Sequence, residues 1–323
     1  KYKPEDIWVW ENDPRHIYAI KQNHAKINVI ENLNSLENMH FTQSISNPPY
    51  KGQLHLEFLL KQLEISDAVK QIHPSGWLFR TTSSIEKAVK SSLKNRVKKL
   101  ILFNGNAVFK GAAFACPLVI TEAVKFHSGD IEVENQITGN TYYIKDLSEF
   151  PTGYWEPTKE HKDMVNLFKS LSNTNIYSLV RDTPTKPFLG CPKVVGHGVV
   201  REKFLGCPRV VGNARTNNPN LYATYDFHIF HYRNSNLDTA KSKVFKVNNE
   251  DELVSLKSYV KTKFARFGLS INKVSQDLYI KRYLDIVPLP PLDREWTDES
   301  LVEYYGLTKD QSEYIDSFIP DYY

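Results

Sequence analysis

The sequence predicts an α/β fold: a doubly wound sheet in the first part of the chain, followed by a second, α+β domain. Three observations predict it. Short runs of β-forming residues (7–14, 27–33, 41–46) alternate with stretches of helical apolar period (15–23, 55–63, 84–100), the signature of strand–helix–strand units. The run Phe41–Ser46 stops at Asn47, Pro48, Pro49 and Tyr50, where two prolines end any ladder and stiffen a corner at the carboxyl edge of a strand. From Lys125 the pattern changes to short strands, many aromatics and irregular connections. The division expected is 1–126, 127–290 and a helical tail over 291–323.

Taken in order, Asp13 and Pro14 place a capping acid before a proline in a first turn, so a helix begins there and the preceding apolar run is a strand closing on Glu11. Residues 27–33 make the next strand, and 55–63 a helix with an apolar face. The turn at His73 and Pro74 predicts a strand over 73–82. Val89, Leu93, Val97 and Leu100 share one face of a helix over 84–100, with Lys87, Lys90, Lys94, Lys98 and Lys99 as its solvated side. Residues 100–109 and 113–121 predict the closing hairpin of the sheet, with Cys116 buried in its second strand. Further on, 250–263 reads as helix and 264–287 as mixed connecting structure. Thr297 caps one terminal helix, and Thr308 with Gln311 forms a capping box for another that ends near Ile319.

Open α/β sheets bind ligands at the carboxyl edge of their strands. At the Asn47–Tyr50 corner a side-chain amide, two proline-flanked carbonyls and an aromatic face coincide. That set grips an exocyclic amino group and stacks on the flat ring bearing it.

The stretch resembles the catalytic loop of the S-adenosyl-L-methionine (AdoMet)-dependent amino-methyltransferases, in particular the DNA adenine-N6 methylases of type II restriction–modification systems. Trp296, Thr297, Asp298 and Glu299, with Tyr305, Gly306, Leu307 and Thr308, resemble the C-terminal end of the same enzymes. The resemblance implies a Rossmann-like methyltransferase sheet, N-terminally incomplete here. The family's glycine-rich cofactor loop has no counterpart, since no glycine precedes Gly52. Upstream residues are expected to supply it; otherwise it sits on another polypeptide, or the chain does not bind AdoMet alone.

The resemblance also implies residue roles. Asn47 and the Pro48 carbonyl accept from the target amino group, Pro49 stiffens the loop, and Tyr50 lies against the base. Phe109, in the phrase Val108 to Gly111, is its stacking partner. Glu11, with its neighbour Asn12, holds the ribose of AdoMet. Glu31, rather than Asn32, accepts from the cofactor's adenine, and Asn47 also borders the cofactor. The reaction implied is methyl transfer to N6 of an adenine flipped out of a specific DNA sequence. Cytosine N4, RNA guanine and protein glutamine are alternative acceptors for such a loop, and a catalytically incomplete DNA-binding or assembly subunit is the non-enzymatic alternative.

A repeat supports a nucleic-acid partner. Residues 188–196 recur as 204–212, each a turn, a short strand and a closing glycine with one basic residue. Side by side, the copies would present Lys193 and Arg209. With Arg201, Lys203, Arg215, Asn213, Asn217 and Asn218 they make a cationic, amide-rich surface for phosphates and base edges. The expected partner of this surface is double-stranded DNA, and the resemblance further implies a restriction nuclease domain or subunit.

Composition agrees. The net charge of +4 permits a polyanionic partner, and 41% hydrophobic with 24% charged residues is ordinary for a chain with packed cores. No apolar run suits a membrane span and no signal peptide is visible. Three cysteines give no disulfide framework, which predicts a cytoplasmic protein. Cys191, His197 and Cys207 lack the spacing of a zinc site, so no metal is expected.

Overall fold

The computed structural model describes residues 3–319 and 321, apart from 32, 37, 81, 110–115, 182–193, 196–198, 201–208, 211–228, 231–242, 246, 248 and 275–280. Two compact units divide the chain. The first comprises Lys1–His73, Thr82–Lys99 and Ile120–Gly129; the second comprises Pro74–Thr81, Leu100–Val119 and Asp130–Tyr323.

The chain opens with β1 (Trp8–Trp10), α1 (Pro14–Asn23) and β2 (Asn28–Ile30). Asp13 caps α1 by accepting from the amide of Arg15, and Pro14 occupies the first turn, as its residue types require. Next come β3 (Phe41–Ser46), α2 (Leu54–Ile65), β4 (Ser66–Pro74), α3 (Ser84–Ser92), β5 (Val97–Phe103), the single turn α4 (Gly105–Val108) and β6 (Leu118–Val124). β7 (Ile131–Asn135) and β8 (Asn140–Ile144) complete a six-stranded sheet in the order β3-β4-β6-β5-β7-β8. It is mixed: β3 and β4 are parallel, with Ser46 opposite Gln71, and β7 and β8 are antiparallel. The α/β class stands.

Several expected elements shift. β1 and β2 pair in parallel as a separate two-stranded sheet and are not hydrogen-bonded into the six-stranded one. The strand expected over 73–82 lies earlier, at Ser66–Pro74, and residues 75–77 form a 3-10 turn. The helix expected to reach Leu100 ends at Ser92. Asn95 adopts a left-handed φ of 57°, which asparagine tolerates, and the chain leaves that turn as β5. Lys98 and Lys99 consequently lie on a strand, and the lysines do not form one helical face. Cys116 sits in a bend before β6, half-buried, with burial pushing its thiol up. β7 and β8 share a sheet with β6.

In the first unit, Leu56, Leu59 and Leu63 of α2 are buried, as are Val69 of β4 and Val89 and Leu93 at α3. Trp10, Met39 and Phe41 pack against the buried cluster of Ile30, Leu36 and Ile65, seating the β1–β2 pair beside the start of β3.

The second unit continues with α5 (Lys159–Leu171) and the short strands β9 (Val180–Arg181), β10 (Val194–Val195), β11 (Val199–Val200), β12 (Arg209–Val210), β13 (Ile229–Phe230) and β14 (Lys243–Phe245). β10 pairs with β11, whereas β12 lies in a four-stranded sheet of order β13-β12-β14-β9. The described residues of the two repeat copies, 194–195 and 209–210, thus lie in different sheets, and Lys193 lies outside the described residues. The helices α6 (Glu250–Tyr259), α7 (Lys263–Asn272), α8 (Lys281–Leu284), α9 (Asp298–Tyr305) and α10 (Lys309–Phe318) follow. α7 lies within the stretch expected as mixed connecting structure, and Phe264 to Ile271 are all buried, Arg266 and Ser270 included. Thr262 caps it, and Asp298 accepts from the amides of Lys263 and Phe264 at 3.0 and 2.9 Å.

Both tail caps form as read: Thr297 with Ser300, and Thr308 with Gln311, the last helix ending at Phe318 with Ile319 as its C-cap. His161 of α5 anchors this end, stacked on Trp155 at 4.4 Å, with its Nδ1 2.7 Å from the hydroxyl of Tyr314 on α10. No helix among the described residues is long and apolar enough to cross a membrane.

Candidate active site

The corner that follows β3 is built by chain stiffness at its entry and capping at its exit. Pro48 is buried while Asn47 and Pro49 are exposed, so the fixed φ of the prolines turns the Asn47 amide outward instead of into the core. Gly52, at φ +59°, makes the reversal into α2 that a side chain would strain. Gln53, at the helix start, donates to the Ser83 hydroxyl at 2.7 Å, tying the corner's exit to the N-cap of α3. Ser83 and Glu86 form a reciprocal capping box there, and Glu86, almost fully buried, also accepts from the amide of Thr82 at 2.8 Å.

Within the corner, the Tyr50 hydroxyl donates to Asn47 Oδ1 at 2.5 Å. The oxygen expected to receive a substrate amino group is held by the protein's own phenol. Desolvation pushes the Tyr50 hydroxyl up to about 12, so it remains a protonated donor at neutral pH. The Tyr50 ring also meets the His55 ring edge-on at 6.4 Å. Beneath the corner lies a buried polar layer. The Ser46 hydroxyl is 3.0 Å from both Gln62 Oε1 and Gln71 Oε1, and Gln71 Nε2 donates to the His55 carbonyl at 2.7 Å. His73 Nε2 lies 2.8 Å from the Thr121 hydroxyl. Complete burial holds the His73 imidazole well below its ordinary range, hence neutral.

Of the expected cofactor residues, Glu11, Asn12 and Glu31 follow the carboxyl ends of the paired parallel strands β1 and β2, whereas Asn47 follows β3 in another sheet. The Glu11 amide bonds the Ile30 carbonyl at 3.1 Å, which sets Glu11 beside the end of β2, where Glu31 follows. Glu11 Oε1 accepts from the amides of Asn12 and Asp13 at 2.8 and 2.9 Å, and Oε2 lies 3.1 Å from His16 Nδ1. The backbone bond from Asp13 leads in holding its carboxyl below the ordinary range. Glu11 therefore doubles as a cap for the turn into α1, a role the sequence reading gave to Asp13 alone. The Asn12 backbone orients Glu11. Glu31 is exposed and pairs with Lys21 at 3.5 Å.

Phe109 follows α4 in the second unit, half-buried, its amide bonded to the Gly105 carbonyl at 2.8 Å. Lys193, Arg201, Lys203, Asn213, Arg215, Asn217 and Asn218 lie outside the described residues, and Arg209 is described only as backbone of β12. Sequence reading missed Ser46, Gln62, Gln71, His55 and His73. For Gln71 and His73 the signal was a strand whose inward positions are polar where packing alone asks for aliphatic residues.

A separate open cleft of about 510 Å³ in the second unit is lined by Lys257, Ser258, Lys261, Trp296, Thr297 and Asp298, among others, and holds none of the expected site residues. Among the described residues no cluster of His, Cys, Asp or Glu could hold a metal ion.

No protein-family model matches the chain, and no curated protein matches it. Solved structures similar in part include a chain from work on complex assembly and conformational transition of the type I R-M system, with TM-score 0.33 and 15% identity over 40% of this chain and 32% of that one. Another is Thermoplasma acidophilum 1320, with TM-score 0.25 and 15% identity over 38% of this chain and 67% of that one. The chain thus spans about a third of the length of the first of these.

Proposed function

We propose that this chain methylates the exocyclic amino group of a nucleobase, with adenine N6 in DNA as the acceptor and AdoMet as the methyl donor. The observation carrying the reading is the corner itself: Asn47 exposed at the end of β3, its Oδ1 already receiving a hydrogen-bond donor from the aromatic residue three positions on. A hydroxyl bound there occupies the place that an N–H of the amino group takes during reaction.

In this reading Asn47 Oδ1 and the Pro48 carbonyl accept the two N–H bonds of N6. That orients the nitrogen lone pair and raises its electron density, so the work is positioning and electrostatics. Tyr50 lies against the ring, and Phe109 is proposed as its counterpart. Flipping the base costs a few kcal/mol, which stacking on the aromatic faces offsets. AdoMet, when bound, supplies an electrophilic methyl group. Glu11 fits its ribose: it is ionised, oriented by two amides, and about a quarter exposed at a strand's carboxyl end. Glu31 is proposed as a neighbouring acceptor. The basic residues of the repeat region are proposed to meet the DNA backbone, and a nuclease partner belongs to the same proposal.

Expression of the full-length protein in a methylation-free host, with genome-wide mapping of methylated bases, tests the reading. N6-methyladenine at one sequence context is expected. Its absence, with AdoMet bound normally by calorimetry, would remove the adenine assignment.

One observation favours a second reading, a methylase-like subunit without activity of its own. The acceptor oxygen of Asn47 is satisfied internally, so the corner is stable with no substrate. Failure of the full-length protein to bind AdoMet would select it.

A further inference from the structure

We infer that Gln71 is a positioning residue for the corner, clamping both of its ends from below; this rests on the amino-methylation reading above. Gln71 is fully buried on β4, directly opposite Ser46 in the parallel register. Its Oε1 lies 3.0 Å from the Ser46 hydroxyl, and Ser46 immediately precedes Asn47. Its Nε2 donates at 2.7 Å to the carbonyl of His55, in the first turn of α2. One side-chain amide therefore bridges the last residue before the corner and the first helical turn after it, bracketing residues 47–54.

The bracket explains an otherwise costly choice. A buried amide in a strand gains nothing from packing that a leucine would not give, and it requires both its donor and its acceptor to be met. Here both are met by the two ends of one loop. Gln62 supports it from α2, since the single proton of the Ser46 hydroxyl is shared between Gln62 Oε1 and Gln71 Oε1 at equal distances. The His55 ring, carried by the clamped turn, contacts the Tyr50 ring, so the clamp reaches both residues proposed to touch the base. Gln71 itself touches neither substrate nor donor. It acts by fixing where Asn47 and Tyr50 stand.

The test compares full-length wild type with Gln71→Leu, Ser46→Ala and Ser46→Thr, the last restoring the hydroxyl. Misplacement by about 1 Å lowers rates by about 100-fold, so Gln71→Leu is expected to lose about that much in kcat while the affinities for AdoMet and DNA stay within about threefold. Ser46→Ala should lose kcat in the same direction, and Ser46→Thr should recover it. Hydrogen exchange of amides 46–54 should rise about tenfold in Gln71→Leu and Ser46→Ala, with α5 and α7 unchanged. Unchanged kcat in Ser46→Ala, or lost affinity matching lost kcat, would overturn the clamp. So would unchanged exchange at 46–54. If wild type itself transfers no methyl group, the functional reading fails and the exchange measurement alone judges the clamp. Should Gln71→Leu not fold, the Ser46 pair decides.

Discussion

The Tyr50 hydroxyl donates to the side-chain oxygen of Asn47 across 2.5 Å, closing a four-residue loop that contains two prolines. This contact gives the Asn47 oxygen a donor from within the corner. Under the proposed function, an incoming amino group would compete with the phenol for that oxygen.

Tyr50→Phe keeps the ring and removes the competitor. A hydrogen bond of this type contributes about 1 kcal/mol net, so kcat/KM for methylation should be unchanged or rise by up to about fivefold. Tyr50→Ala removes the stacking face as well, and kcat/KM should fall by about 10–100-fold, since base–aromatic stacking contributes about 1–3 kcal/mol. Steady-state kinetics on a methylatable duplex would check both. A large loss in Tyr50→Phe would mean that the hydroxyl takes part in the reaction.

His161 should make stability depend on pH. Burial depresses its imidazole from the ordinary 6.5 to about 3. The unfolded chain therefore binds a proton below 6.5 that the folded chain refuses until about 3. The stabilisation from the neutral ring is complete above 6.5 and is lost progressively as pH falls across that window. At pH 5 the loss amounts to about 2 kcal/mol. Denaturant unfolding of wild type and His161→Phe at pH 7.5 and pH 5 should show the variant losing about 2 kcal/mol less on acidification. Equal losses would contradict the assignment. His73 shifts in the same direction and is common to both proteins, so it cancels in the comparison.

Gly153 sits where a methyl group has no room: a Cβ there would stand 2.6 Å from the Ile271 carbonyl oxygen and 2.8 Å from that of Ser270. Both oxygens are backbone and cannot step aside. The neighbouring Trp155 indole donates to the same Ile271 carbonyl at 2.9 Å, so any shift also strains that bond. Gly153→Ala should destabilise by about 1–3 kcal/mol, measurable as a lowered unfolding midpoint with an unchanged slope.

Much of this was legible in residue order because local rules governed it. Asp13 before Pro14, the prolines after Ser46, and the Thr297 and Thr308 boxes each fix a backbone state within a few residues, and each stands where expected. What escaped depended on distant partners. Gln71 and His73 make β4 look polar, and only their bonds to His55 and Thr121 show why a buried strand carries them. The helix over 84–100 was overextended because Val97 and Leu100 continue its period by coincidence, while Asn95 turns the chain. The corner's residue types were readable, but the Tyr50–Asn47 bond was not, since side-chain direction within a turn has no sequence signature. The pairing of β12 with β13 and β14, and not with its repeat partner, likewise follows from long-range assembly.

The most direct measurement is methyl transfer from labelled AdoMet to an adenine-containing duplex by full-length wild type and Asn47→Ala, with DNA affinity measured alongside. Loss of this one acceptor should lower kcat by at least about 100-fold while DNA affinity changes by less than about threefold. Methylation at wild-type rate in Asn47→Ala would contradict the account, because the group holding the amino nitrogen would then lie elsewhere.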